Sequence, residues 1–267
     1  MTFPAITSPG NERIKRAVRL RRGTHRRDEG LTLVDGVREL TAALAAQVAI
    51  HEVFFCREQV GEEFRELLGH LVQDGAKVFE VTSVVAERLA YGQRHDGVTA
   101  VIVPPQRPLA DLQLPEQPLV AVLEGVEKPG NLGAVVRSAD AAGVSAVIVV
   151  DGGTDIYNPN AIRASLGTIF RVPVCSAENS AVVDWLANRG LQVIAARLDA
   201  DVAPWDVDLT RPTAILLGAE ATGLSDAWAA SDIRAVRLPM LGVADSLNVS
   251  ATAAVLFYEA LRQRRAS

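Results

Sequence analysis

Three apolar runs in the second half of the chain limit the folds that it can adopt. The runs are PLVAVLEGV, VSAVIVV and TAILLG, and such runs are typical of strands that are buried on both faces of a parallel sheet. Weaker strand patterns lie in the same half: FRVPV, LQVIAAR and IRAVRLP. Helical patterns separate most of these strands, and NLGAVVRSADAAG is expected to end at Gly143. The second half therefore predicts a doubly wound α/β domain with a parallel sheet.

The first half predicts a smaller α/β domain. Strand patterns such as LTLVDG and IHEVFFC alternate there with helical patterns such as EEFRELLGHLVQ. The proline-rich stretch PPQRPLADLQLPEQP follows and is typical of a linker. We therefore expect a basic N-terminal arm and α/β domain over residues 1–103, a linker over 104–118 and the larger domain over 119–267.

Composition disfavours several classes of protein. The first residues lack the apolar stretch of a secretory signal, and no uncharged apolar run reaches the roughly twenty residues of a membrane span. Cys56 and Cys175 lie far apart and predict neither a zinc site nor a disulfide. We expect a cytoplasmic protein that contacts no membrane and holds no metal.

Positive charge is concentrated near the N-terminus, although the net charge of the chain is −5. Such a cluster can bind a phosphate backbone, and it can also be the solvated face of a helix. The sequence alone leaves both interpretations open. The candidate phosphate contacts are Arg13, Lys15, Arg16, Arg19 and Arg22.

Three clusters of glycine and polar residues follow predicted strands, where ligands bind in open α/β sheets. The first cluster is EKPGNLGAVVRS, in which Asn131 is expected to cap a helix. Arg137 is expected to point away from the apolar face of that helix, either as a surface arginine or as a functional group. The spacing of Gly130 and Gly133 does not match G-x-G-x-x-G, which disfavours an NAD-dependent oxidoreductase.

The second cluster is ILLGAEATGLS. Gly218 and Gly223 would let the backbone approach a ligand closely, and Glu220 would place a carboxylate at the end of the sheet. An ordinary loop with turn glycines is the alternative interpretation.

The third cluster, VRLPMLGVADSLNVSA, leads into the last helix. Asp245 or Ser246 can cap that helix, and one small polar residue is enough for a cap. Ser246 and Asn248 together exceed what a cap needs, which indicates a functional role.

In this order, the three clusters resemble the motifs of the SpoU (TrmH-type) family of SPOUT RNA ribose 2′-O-methyltransferases. The matching stretches are Asn131-Leu-Gly-Ala-Val-Val-Arg137, Leu217-Gly-Ala-Glu220 with Gly223, Leu238-Pro-Met-Leu-Gly242 and Ser246-Leu-Asn-Val-Ser250. The resemblance covers about residues 120–264, and the stretch from Arg163 to Pro173 is similar to the segment between the motifs. The first domain resembles the family's ribosomal-protein-like substrate-binding domain, with Asp35 where the family commonly has glutamate.

The resemblance implies a deep C-terminal trefoil knot in the parallel-sheet domain, S-adenosylmethionine as the cofactor, and a homodimer. Carried over to this sequence, the backbones at Gly218, Leu238 and Leu247 would hold the adenosine part of the cofactor. Leu217 and Met240 would line the same pocket.

The resemblance also assigns catalysis to Arg137. Because arginine stays protonated in nearly every protein, this group must either lose its proton in a dry site or stay charged and stabilise the developing alkoxide. Asn131, Ser246 and Asn248 would orient the guanidinium or the ribose. Glu220 would accept hydrogen bonds from the target nucleotide or from Arg137.

The predicted function is S-adenosylmethionine-dependent methylation of a ribose 2′-hydroxyl. Large-subunit (23S) ribosomal RNA is the expected substrate, and the basic residues are expected to contact it. Two alternatives stay open at this point. One is a tRNA ribose 2′-O-methyltransferase, and the other is a catalytically silent RNA-binding module of the same fold.

Overall fold

A computed structural model describes residues 2–90, 96–151, 154–218, 223–228 and 232–266. The chain divides into two compact units. The first unit consists of Met1–Pro105 and Tyr157–Arg171, and the second consists of Gln106–Ile156 and Val172–Ser267.

Strands and helices alternate along most of the chain. The elements up to residue 102 are β1 (Ala5–Ile6), α1 (Glu12–Arg19), α2 (Gly23–Glu29), β2 (Thr32–Asp35), α3 (Val37–Ala45), β3 (Ile50–Phe55), α4 (Glu62–Gln73), β4 (Lys77–Val81), α5 (Ser83–Leu89) and β5 (Val98–Ile102). The later elements are β6 (Leu119–Glu124), α6 (Pro129–Ala142), β7 (Ala146–Val150), α7 (Pro159–Ala164), β8 (Val174–Ala177), α8 (Asn179–Asn188), β9 (Gln192–Ala196), β10 (Thr213–Leu217), β11 (Ile233–Val236) and α9 (Val249–Ala266).

The first unit contains a mixed sheet in the order β1-β4-β3-β5-β2. β4 pairs in parallel with β1 and β3, whereas β5 is antiparallel to both β2 and β3. The sequence analysis missed β1, because a strand of two residues has no periodicity to detect.

The basic N-terminal region is part of this unit's folded body and does not form an arm. It forms α1 and α2, and Ile14, Ala17 and Leu20 from it are buried in the core. The expectation of an arm was wrong because the apolar face of α1 packs into the core, while basic residues such as Arg13 and Arg19 lie on its exposed face. Arg26 of α2 is itself buried.

The segment Tyr157–Arg171 also belongs to the first unit. Thr32 in β2 donates a hydrogen bond from its hydroxyl to the Tyr157 carbonyl over 2.7 Å. Gly167 has a φ of +83°, and a Cβ at this position would lie 2.7 Å from the Cβ of Ala42. The sequence placed these residues within 119–267, because a return of the chain to an earlier unit leaves no mark in composition.

The second unit is built on a sheet whose strand pairs are all parallel, in the order β11-β9-β10-β6-β7-β8. This confirms the predicted α/β class with a parallel sheet. Leu112, from the proline-rich stretch, is buried in the core of this unit. β8 begins at Val174, later than the FRVPV pattern predicted, because Thr168–Phe170 form a short 3₁₀ turn.

Across the described residues, every helix is too short or too polar to cross a bilayer.

Both cysteines, Cys56 and Cys175, are buried free thiols, and burial raises the pKa of Cys175 to about 11. We therefore expect the native protein to resist alkylation by iodoacetamide at neutral pH, because reaction needs an accessible thiolate. Mass spectrometry should find both thiols modified only after unfolding in guanidinium. Modification of the native protein at either thiol would contradict this burial.

Candidate active site

A cavity of about 460 Å³ lies in the second unit, at the carboxyl ends of β9, β10 and β11. Its volume falls within the range of small-molecule sites. The five residues that the sequence analysis assigned to the cofactor all line it: Leu217, Gly218, Leu238, Met240 and Leu247. Most of these side chains are apolar, so the cavity offers an apolar wall with backbone groups between the side chains.

Gly218 and Gly223 bring two backbone segments together at the wall of this cavity. A Cβ at Gly218 would lie 2.6 Å from both the carbonyl carbon and the oxygen of Gly223. Gly223 itself has a φ of +67°, which side chains rarely adopt. The close approach at Gly218 and the positive φ at Gly223 therefore both require glycine. In an ordinary turn loop, other residues could replace at least one of them.

The last helix begins later than the sequence suggested. Asn248 caps α9, because its Oδ1 accepts hydrogen bonds from the Ser250 backbone N–H over 2.9 Å and from the Ser250 hydroxyl over 2.7 Å. The predicted caps, Asp245 and Ser246, were wrong. Both residues line the cavity instead.

Asn131 and Asn248 meet, although they are far apart in sequence. The Asn248 amide Nδ2 donates to Asn131 Oδ1 over 3.4 Å. The helix that contains Asn131, α6, packs against α9, which Asn248 caps. Asn131 does not cap α6, as the sequence analysis expected, because this helix already begins at Pro129. The Asn131 side chain is therefore available to Asn248.

Arg137 lies on the exposed side of α6, as the helical pattern predicted, and it is not among the residues that line the cavity. Within the described part of the chain, no hydrogen bond or ion pair involves its guanidinium. Glu220, the remaining predicted catalytic residue, lies outside the described residues.

The sequence analysis missed the part of the cavity wall that follows β9. Arg197 and Asp199 both line the cavity and form a bidentate ion pair, with N···O distances of 2.9 and 2.7 Å. The Arg197 guanidinium lowers the pKa of the Asp199 carboxyl. The available signal was positional, since both residues follow a buried parallel strand.

The candidate phosphate contacts, which lie in α1 and just before α2, fall into two groups. Arg13 forms an ion pair with the buried Glu52, and Arg16 pairs with Glu29 at 2.5 Å. Lys15 pairs at 2.8 Å with Glu12, and this hydrogen bond lowers the pKa of the Glu12 carboxyl. The second group is Arg19 and Arg22, both exposed and, among the residues described, without such an ion pair.

Among the described residues, no group of three or more His, Cys, Asp and Glu side chains could hold a metal ion.

Comparison with known proteins identifies what this arrangement resembles. The pattern of the SpoU rRNA methylase family matches residues 118–258, and that of the MRM3-like substrate binding domain matches residues 11–100. A 23S rRNA (uridine(2479)-2′-O)-methyltransferase of Streptomyces viridochromogenes is 30% identical, over 88% of this chain and 84% of the relative.

Two further comparisons agree with these matches. A 23S rRNA (guanosine-2′-O-)-methyltransferase, RlmB, of Pseudomonas syringae pv. tomato is 39% identical over 64% of this chain and 72% of the relative. The crystal structure of an AdoMet-bound rRNA methyltransferase from Sinorhizobium meliloti superposes with a TM-score of 0.89, at 27% identity, covering 97% of this chain and 98% of the other.

The contact between Gly218 and Gly223 predicts the effect of Gly218→Ala. The added methyl group must push the two segments apart, and overpacking of this kind costs about 1–3 kcal/mol. We expect the dissociation constant for S-adenosylhomocysteine, measured by calorimetry, to rise at least about tenfold. Gly69→Ala is the control, because a Cβ there has no neighbour within 4 Å. Equal affinity of the Gly218 variant and the wild type would show that the ligand binds elsewhere.

Proposed function

The chain belongs to the SpoU rRNA methylase family, and on that premise we propose that it transfers a methyl group from S-adenosylmethionine to a ribose 2′-hydroxyl of 23S ribosomal RNA. The cavity at the ends of β9, β10 and β11 carries the proposal, because the five cofactor residues named from the sequence converge there. Both named relatives act on 23S rRNA, which favours this substrate over tRNA.

The residues around the cavity fit the cofactor. Leu217, Met240 and Leu247 offer apolar surface to an adenine ring, while the close approach at Gly218 brings backbone donors and acceptors to the wall. Arg197 and Asp199 add both signs of charge to the same wall. When bound there, S-adenosylmethionine supplies a methyl group already activated by the sulfonium charge.

Arg137 is proposed as the catalytic group that stays charged. Its guanidinium stabilises the negative charge that develops on the ribose 2′-oxygen, and its planar donors clamp an RNA phosphate. That phosphate or a water molecule accepts the hydroxyl proton, because a guanidinium rarely gives up its own proton. The exposure of Arg137 suits a group that must reach RNA.

The polar residues near the start of α9 are proposed to orient the ribose and the guanidinium. The contact between Asn131 and Asn248 supports a shared task for these two side chains. Ser246 is adjacent to the cofactor-lining Leu247 and itself lines the cavity, so its hydroxyl is near the reacting groups. Glu220 is assigned by its place in the motif, as an acceptor for the target nucleotide or for Arg137.

Exposed apolar residues support a homodimer. Val255 and Tyr258 project from one side of α9, and Leu241 and Val243 in the preceding segment are fully exposed. Surface of this kind is expected to be buried against a partner, and we propose a second copy of the chain.

We also propose that residues 237–266 close a C-terminal trefoil knot. Leu238 and Met240 from this part of the chain line the same cavity as Gly218 and Gly223, which follow β10. We place the reaction in the cytoplasm, where ribosomal RNA is made and assembled in bacteria.

Methylation assays on ribosomal RNA test the catalytic assignment. Wild-type protein with radiolabelled S-adenosylmethionine should label 23S rRNA, and mass spectrometry should place the label on a ribose. Arg137→Lys keeps the charge but loses the planar donor array, so we expect turnover to fall by about 100-fold or more. Cofactor affinity should stay close to that of the wild type.

Wild-type turnover by Arg137→Ala would refute the role of Arg137. Label in tRNA alone would select the tRNA alternative, and RNA binding without any methyl transfer would select the silent module.

RNA binding distinguishes the two groups of basic residues. We expect the double substitution of Arg19 and Arg22 by Ala to weaken RNA binding. The slope of log affinity against log salt should become shallower by about one for each phosphate that the variant no longer neutralises. An unchanged salt slope in the double variant would show that these arginines do not bind phosphate.

Arg13→Ala is the contrasting variant, because it leaves the carboxylate of Glu52, which is 1% exposed, without its partner. That variant should lower the thermal unfolding midpoint.

A further inference from the structure

A polar cluster around two buried side chains, Glu124 and Asn179, lies at the carboxyl ends of four strands in the second unit. It consists of Glu124, which ends β6, Asp151 after β7, Asn179 at the start of α8, and Ser225 in the segment after β10. Glu124 is 4% exposed and Asn179 is 7% exposed. We call these four residues the Glu124 cluster, and none of them lines the cavity.

The Glu124 carboxylate organises the cluster by accepting hydrogen bonds on both oxygens. Oε2 accepts from the Ser225 backbone N–H over 2.9 Å, and Oε1 accepts from the Ser225 hydroxyl over 2.6 Å. Asn179 Nδ2 lies 2.6 Å from Glu124 Oε1 and 3.1 Å from Asp151 Oδ2. A buried carboxylate is costly unless it is hydrogen-bonded in this way, so the bonds to Ser225 are expected to persist in solution.

The position of Ser225 connects this cluster to the cavity. Gly223 and Leu224, the two residues before it, both line the cavity, and Gly223 is the residue that Gly218 approaches. The segment is therefore held on one side by the contact with Gly218 and on the other by the bonds from Ser225 to Glu124. Releasing either side lets the cavity wall move.

We propose that Glu124 is a positioning residue for S-adenosylmethionine: through Ser225 it fixes the wall that Gly223 and Leu224 form. The inference rests on the proposed function in one respect, the assignment of this cavity to the cofactor. Glu124 affects the affinity for the cofactor, whereas Arg137 affects the transfer step.

The geometry requires a carboxylate of this length. Glu124→Gln replaces one acceptor oxygen by an N–H₂ group, which cannot accept from either donor of Ser225. Glu124→Asp shortens the side chain by one methylene group and moves both carboxylate oxygens away from the two donors of Ser225. Ser225→Ala is a milder change, because it removes the hydroxyl and keeps the backbone N–H.

The test compares Glu124→Gln and Ser225→Ala with Gln263→Ala. Gln263 also ties two segments of the second unit together, because it accepts from the Leu209 N–H over 2.8 Å and donates to the Val207 carbonyl over 3.0 Å. It does not line the cavity. The control therefore loses polar ties in the same unit without touching the wall.

We expect Glu124→Gln to raise the KM for S-adenosylmethionine and the Kd for S-adenosylhomocysteine by about tenfold. With saturating cofactor, its kcat should change by less than about threefold. Ser225→Ala should shift both constants in the same direction by a smaller factor, and the double variant should add little to Glu124→Gln because the two residues act as a pair. Gln263→Ala should lower the thermal unfolding midpoint and leave the Kd unchanged.

Three outcomes would overturn the inference. The first is a Kd within about twofold of the wild type in both Glu124→Gln and Ser225→Ala. The second is an equal rise in Kd for Gln263→Ala, which would show general loosening of the unit. If Glu124→Gln does not fold, Ser225→Ala decides alone. The third is that Gly218→Ala binds the ligand with wild-type affinity. This result would contradict the assignment of the cavity to the cofactor, whereas the first two outcomes would contradict only the role of Glu124.

Discussion

The second unit depends on the register of its parallel strands. Leu217 of β10 is level with Ala196 of β9 and Leu123 of β6, and Val236 of β11 is level with Ala196. Four strands therefore end within one residue of the same row, and the chain leaves each of them at the carboxyl end of the sheet. The cavity arises at this end because three of those exits lie next to one another. A slip of one residue in any strand would turn its side chains to the other face and dismantle the wall.

The chemistry of a SpoU-family methyltransferase suits such a site. Because the methyl group of S-adenosylmethionine is already activated, the protein has to hold and align the reactants and stabilise charge on the ribose oxygen. Short polar residues and a permanently charged arginine are the groups proposed for that task. Because the reaction itself requires neither histidine nor a metal ion, the activity could be predicted from motifs that contain neither histidine nor a metal-binding cluster.

Much of the fold could be predicted because long apolar runs and glycine stops are local signals, and β6, α6 and β10 follow them. The cavity residues could be named because the motifs carry glycines and apolar residues in a specific order. Arg197 and Asp199 were missed, since they belong to no motif and their only signal is their position after a buried parallel strand. The ion pair of Arg13 with Glu52 could not be predicted from the sequence either, because a dense run of positive charge does not indicate which of its side chains pair with a carboxylate in the fold. Tyr157–Arg171 joins the first unit through contacts that no local pattern encodes.

Asn248 illustrates how one side chain can serve two structural levels. Its side-chain oxygen accepts a hydrogen bond from the Ser250 backbone N–H at the start of α9. Serine, threonine or aspartate can also cap a helix in this way. Its amide nitrogen faces Asn131, and of these residue types only asparagine has a donor on the other arm of the same planar group. The geometry of the helix start and that of the proposed site are thus rigidly coupled through a single amide plane, whose orientation is fixed once its oxygen binds the helix.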